Sequence, residues 1–123
     1  MIMEDLKILV VDDEEHTRLG YAEILKMGGY EVDMAGDGLE GLMMAENKQY
    51  DLIITDLRMP KMNGMEFMDK LNEKNIDTKK IVITAFGSYK SYKDTAAQGA
   101  CIYLNKPVRA ADLETAISEA FRK

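Results

Sequence analysis

Leu6-Lys7-Ile8-Leu9-Val10-Val11-Asp12-Asp13 is an almost continuous apolar run that ends in two acids, and the same design recurs down the chain. Leu52-Ile53-Ile54-Thr55 runs into Asp56, Ile81-Val82-Ile83 runs into Thr84, and Cys101-Ile102-Tyr103-Leu104 runs into Asn105-Lys106. Glu31 to Ala35 is a shorter alternating stretch. Unbroken apolar strands of this length suit a parallel sheet covered on both faces, where neither side of a strand meets water.

Between the strands lie segments of helical spacing. Glu15 to Met27 gathers Leu19, Ala22, Ile24, Leu25 and Met27 mostly on one face, and Gly28-Gly29 stops it. Leu39 to Asn47 follows the turn Gly36-Asp37-Gly38. Met65 to Lys74 follows Asn63-Gly64, Tyr89 to Gln98 ends at Gly99, and Ala111 to Phe121 carries Leu113, Ala116, Ile117, Ala120 and Phe121 at helical spacing. The order is β-α repeated five times. It predicts an α/β fold, a five-stranded, doubly wound parallel sheet with right-handed crossovers.

Bulk properties fit one domain over residues 1–123, with a core from about 6 to 121. The net charge of −6 speaks against direct nucleic-acid binding by this segment. No stretch approaches the length of a bilayer span, and the acid-containing start is no signal peptide, so a cytoplasmic protein off the membrane is expected. Cys101 is the single cysteine and reads as a core residue at the start of a buried strand. The ten methionines read mainly as core filler, with Met59, Met62, Met65 and Met68 as the alternative, an adaptable binding surface. His16 reads as an exposed helical residue.

In a doubly wound sheet, ligands sit at the carboxyl ends of the strands. Those ends carry Asp12 and Asp13, Asp56, Thr84, and Lys106 before Pro107. Three acids brought together repel one another unless a cation joins them. Magnesium, a hard oxygen-ligated ion that keeps several waters and accepts a phosphate oxygen, is the natural candidate. With a hydroxyl from Thr84 and an ammonium from Lys106, the set would stabilise a phosphoryl group in transfer. A carboxylate would serve as nucleophile and form an acyl phosphate. Taken singly, Asp12 or Asp13 would be no more than a helix cap, Thr84 a strand residue and Lys106 a surface charge.

The runs Ile8-Leu9-Val10-Val11-Asp12-Asp13, Thr55-Asp56-Leu57-Arg58-Met59-Pro60-Lys61-Met62-Asn63-Gly64, Ile83-Thr84-Ala85 and Tyr103-Leu104-Asn105-Lys106-Pro107 resemble those of response-regulator receiver domains of two-component systems. The resemblance implies the flavodoxin-like strand order 2-1-3-4-5, which the pattern alone does not give. It implies Asp56 as phosphoacceptor; Asp13, Asp56 and the backbone carbonyl of Arg58 as direct magnesium ligands; and Asp12 as a ligand through water. Thr84 then binds a phosphoryl oxygen, Lys106 pairs with the phosphoryl group, and the Lys106–Pro107 peptide bond is cis. Tyr103 is the aromatic switch that turns inward as Thr84 moves toward phosphate.

The implied partner is a sensor histidine kinase or phosphotransfer protein, docked near Glu15, Leu19, Pro107 and Val108. The implied output is a surface of the fourth helix, fifth strand and fifth helix that binds a partner or forms a homodimer on phosphorylation. Weak helix formers make residues 86 to 98 the expected mobile element. Arg58 and Phe86 occupy positions that tune phosphoryl lifetime in the family, and their bulk predicts slow self-dephosphorylation. Such a chain is no enzyme beyond its own phosphorylation and dephosphorylation.

Four alternatives compete with this reading: a phosphorylation-independent binding module, the receiver fragment of a longer transcription regulator, a magnesium-dependent phosphatase, and a flavin carrier. Arg58 stands where the phosphatase wants a second acid. Asp12-Asp13-Glu14-Glu15 stand where the flavin carrier wants a phosphate cradle.

Overall fold

The computed structural model describes residues 5–85 and 87–122. The expectation placed on Phe86 falls outside them. Ten elements alternate: β1 (Lys7–Val11), α1 (Glu15–Met27), β2 (Glu31–Ala35), α2 (Gly38–Asn47), β3 (Leu52–Thr55), α3 (Gly64–Glu73), β4 (Lys79–Thr84), α4 (Tyr89–Ala97), β5 (Ala100–Asn105) and α5 (Ala110–Ala120). All strand pairs are parallel, in the order β2-β1-β3-β4-β5.

The period-two alternation of each strand divides the core between the two faces of the sheet. Ile8, Val10, Ile54 and Ile83 pack with Tyr21 and Leu25 of α1 and with Leu113 and Ile117 of α5. Leu9, Val11 and Ile53 pack on the other face with Leu42 of α2 and with Phe67 and Leu71 of α3. Each fully buried Leu, Ile or Phe contributes about 1.5–3 kcal/mol, so this layered packing dominates the stability.

Register then decides where chemistry falls. Val11 lies level with Ala35 and with Thr55, and Thr84 lies level with Asn105. The ladder runs one step further: the N–H of Asp12 donates to Ala35 O (3.2 Å), that of Asp56 to Val11 O (3.0 Å) and that of Lys106 to Thr84 O (2.9 Å). Asp12, Asp56 and Lys106 are therefore each the first residue past a strand, on one edge of the sheet.

Two core expectations are corrected. Cys101 is exposed. Strand β5 forms the rim of the sheet, and its pairing with β4 skips from Lys80–Ala100 to Ile81–Ile102, so Cys101 is the unpaired residue of a bulge. Among the described methionines only Met68 is buried, and Met27 is 84% exposed. The core is built from Leu, Ile, Val and Phe instead. Strand β4 starts at Lys79, earlier than its apolar run, because Lys79 and Lys80 pair with Leu52 and Ile53 of β3, and Lys80 is buried there despite its charge.

Candidate functional site

Asp12 and Asp56 are almost fully buried, at 2% and 7% exposure, whereas Asp13 faces solvent. One carboxylate oxygen from each of the three lies within 4.8 Å of the others. The Lys106 amine donates to Asp12 Oδ2 at 2.9 Å and to Asp56 Oδ2 at 2.8 Å, bridging two acids from different strands. The other Asp56 oxygen accepts the N–H of Leu57 at 2.6 Å and, at 3.4 Å, weakly that of Arg58. Asp12 Oδ1 accepts the N–H of Glu14 at 2.9 Å.

Burial raises the Asp12 carboxyl above its ordinary range, and the Glu14 N–H and Lys106 offset only part of this. Burial on its own would push the Lys106 amine down, but its hydrogen bonds to Asp56 and Asp12 outweigh it and hold the amine above an ordinary lysine. Three carboxylates against one ammonium leave the pocket short of positive charge. The donor set is oxygen only, which matches a hard divalent cation rather than a thiophilic one.

Asp12 and Asp13 do not cap the helix that follows. Glu14 does, accepting the N–H groups of His16 (3.1 Å) and Thr17 (2.8 Å), which leaves both aspartates to the pocket. Asn63 caps α3 in a reciprocal pair with Glu66. Gly64 follows it because the first turn of α3 presses on the Asp56 backbone: a side chain there would lie 2.9 Å from Leu57 Cα and closer still to Asp56 O.

Thr84 is completely buried at the end of β4, on the same edge. The Lys106–Pro107 peptide bond is cis. Arg58 is exposed. Tyr103 packs against Leu57, Met68 and Val82, with its ring edge-on to Tyr92 at 5.7 Å. Its hydroxyl shares a 2.6 Å hydrogen bond with Ser91 Oγ and accepts the N–H of Ser88 at 3.3 Å, at the start of α4. His16 is exposed, as expected.

A groove of about 590 Å³ opens beside Lys106, walled by Thr17, Tyr21, Ile24, Pro107 and Val108. Leu19, assigned to the same surface from sequence, lines a separate groove with Met27 and Met34 instead. At 100° per residue, positions 17, 21 and 24 of α1 turn toward the loop after β5, and position 19 turns toward β2.

Sequence reasoning missed Arg18. Its guanidinium Nη1 donates to the backbone carbonyl of Asp12 at 2.8 Å. An arginine on the first turns of a surface helix carries no motif signal. Only its distance from the acid pair, about one and a half helical turns, suggests that it could fold back.

The response regulator receiver domain model matches residues 8–118. The transcriptional regulatory protein PdtaR of Mycobacterium tuberculosis (strain ATCC 25618 / H37Rv) is 36% identical over 93% of this chain. The chain spans 56% of that relative's length, about half. The probable chemotaxis protein CheY of Rhizobium etli is 34% identical over 98% of this chain and 95% of its own. Among solved structures, a CheY-like receiver domain from Methanospirillum hungatei JF-1 superposes with a TM-score of 0.89 at 34% identity, covering 94% of this chain and 92% of its own. CheY in the CheX-CheY-BeF3-Mg+2 complex from Borrelia burgdorferi reaches 0.92 at 28% identity, covering 96% and 90%.

Proposed function

This chain belongs to the response regulator receiver domain family, and from that membership we propose that Asp56 is the phosphoacceptor of a magnesium-dependent switch. The observation that carries the reading is the Lys106 amine seated between Asp12 and Asp56, at the mouth of a pocket whose three acids converge.

Asp13, Asp56 and the Arg58 carbonyl would hold magnesium directly, and Asp12 would hold it through water. When bound, the ion supplies the positive charge that the acids lack and draws off charge from a phosphoryl group in transfer. The related complex that contains BeF3 and Mg+2 supports this choice of ion. A phosphohistidine on a sensor kinase or phosphotransfer protein enters along the groove beside Pro107 and Val108. An Asp56 carboxylate oxygen forms the new bond to phosphorus as the phosphorus–nitrogen bond breaks. Lys106 stays paired with the incoming oxygens, and the Thr84 hydroxyl donates to one of them. Water later cleaves the acyl phosphate and restores Asp56. The chain thus catalyses only its own phosphorylation and dephosphorylation.

Drawing Thr84 toward phosphate vacates space for Tyr103. Its hydroxyl then leaves Ser88 and Ser91, and the surface of α4, β5 and α5 changes partner affinity or self-association. Residues 1–123 act as one receiver domain. The length of PdtaR relative to this chain is the reason to keep a receiver segment of a longer regulator as the second reading. The reading places the protein in the cytoplasm, and no helix among the described residues is long and apolar enough to cross a membrane.

The test is incubation with acetyl phosphate and magnesium, read as a phosphate-sized mass increase on intact protein, repeated with Asp56→Asn. Labelling that requires Asp56 and magnesium is expected. Labelling that survives Asp56→Asn, or none at all, overturns the assignment.

A further inference from the structure

Asp12 is held at every polar group it has. Its N–H donates to Ala35 O, one carboxylate oxygen accepts from Glu14, and the other accepts from Lys106. Its carbonyl accepts the Arg18 guanidinium at 2.8 Å. Asp13 is in the opposite situation. It is exposed, and among the described residues nothing donates a hydrogen bond to its carboxylate. The direction in which Asp13 points is therefore set by its backbone, starting with the peptide plane that joins it to Asp12. That plane is the one the Arg18 hydrogen bond fixes.

Arg18 is well built for the task. Its own N–H donates to Glu14 O at 2.9 Å, and Glu14 caps α1, so the root of the side chain is anchored in the first full turn of the helix. The guanidinium reaches back over the turn between β2 and α2, where it passes Gly36, and Glu40 Oε1 accepts the Gly36 N–H at 2.6 Å. Among the described residues the guanidinium has no carboxylate partner, so its one hydrogen bond goes to a neutral carbonyl although three acids lie nearby. A structural ion pair would have chosen an acid.

We infer that Arg18 is a positioning residue for the metal site: by clamping the Asp12 carbonyl from α1 it holds the Asp12–Asp13 peptide in the one orientation that aims Asp13 at the cation. This rests on the reading of Asp12, Asp13 and Asp56 as a magnesium site. Groups that orient metal ligands from behind typically change affinity by about 10- to 100-fold when removed.

The sign of the effect separates this role from simple electrostatics. A guanidinium near a divalent cation repels it, so removing the charge alone would tighten binding. Loss of the clamp would weaken it. The test is magnesium affinity by calorimetry on the unphosphorylated protein, with the wild type, Asp13→Asn, Arg18→Met, Arg18→Gln and Arg18→Lys, and with thermal melts in chelator as a control on folding. Arg18→Met should bind magnesium about tenfold more weakly. Arg18→Gln, which is too short to reach, should behave alike and carries the prediction if the Met variant does not fold. Arg18→Lys keeps one donor and the charge, and should recover most of the affinity. Binding in Arg18→Met and Arg18→Gln that is unchanged or tighter overturns the role, as does a lowered melting temperature with magnesium affinity intact. Wild-type protein whose magnesium binding does not depend on Asp13 would instead overturn the metal-site reading on which the inference stands.

Discussion

The Lys106 amine lies 2.8 Å from Asp56 and 2.9 Å from Asp12, so a single tethered cation joins the ends of three different strands. Its side chain is 17% exposed and those of the two acids 9% and 3%, so the bridge is largely withdrawn from water. Breaking one side of a buried ion pair strands the charge left behind.

Lys106→Met should therefore destabilise the protein by about 3 kcal/mol in chelator, because two neighbouring carboxylates lose their counter-charge. Magnesium should restore more stability to the variant than it adds to the wild type, since the ion now binds acids with no competing amine. Urea midpoints with and without magnesium check both parts. An equal magnesium increment in the two proteins would show that Lys106 and the ion do not share these acids.

Gly64 and Gly20 should respond in opposite directions to alanine. At Gly64 the new methyl meets the backbone of Asp56 and Leu57, which cannot yield without moving the phosphoacceptor. A loss of about 1–3 kcal/mol and a fall in acetyl phosphate labelling are expected. Gly20 sits inside α1 with nothing within 4 Å of the added carbon, so Gly20→Ala should gain up to about 1 kcal/mol from helix propensity. Thermal melts of the two variants decide the matter.

Burial lowers the Lys80 amine below its ordinary value of 10.5, and the amine donates to Thr78 O at 2.9 Å. The folded protein thus releases this proton at a lower pH than the unfolded chain does. Lys80 makes stability rise with pH between its lowered value and 10.5, because the unfolded state holds more protons across that window. Lys80→Met should match or exceed wild-type stability at neutral pH, by about 1 kcal/mol, and its advantage should shrink as the pH rises. An advantage that is constant with pH would contradict this.

Tyr103→Phe and Ser91→Ala each remove the hydrogen bond that ties the start of α4 to β5. A bond of this kind is worth about 1 kcal/mol, or roughly fivefold in an opening equilibrium. Amide exchange at residues 88–92 should quicken by about that factor in both variants, with exchange in β1 and β3 unchanged. If exchange in α4 stays the same, its start is held by something other than Tyr103.

The fold was legible because the central strands are continuous apolar runs and most helices carry one apolar stripe, so pattern separated the Leu52–Thr55 strand from the helix expected over Met65 to Lys74, which runs from Gly64 to Glu73. The candidate site was legible for the same reason. Asp12, Asp56, Thr84 and Lys106 mark the ends of apolar runs, and a parallel sheet lines up those ends. What escaped was decided by the third dimension. Cys101 belongs to an apolar run, and nothing in that run shows that it bulges at the rim of the sheet. The Arg18 contact with Asp12 depends on how a helix leaves its strand, and composition does not carry that angle. Lys80 disguised the start of β4 because a buried lysine violates the rule by which strands are read.

The bulge that lifts Cys101 out of register has a practical side. The chain has a single thiol, it stands at the solvent boundary, and it lies two positions before Tyr103. A maleimide dye or nitroxide can be attached there without first engineering the sequence, which places a reporter on the rim strand where the phosphorylated and resting states should differ.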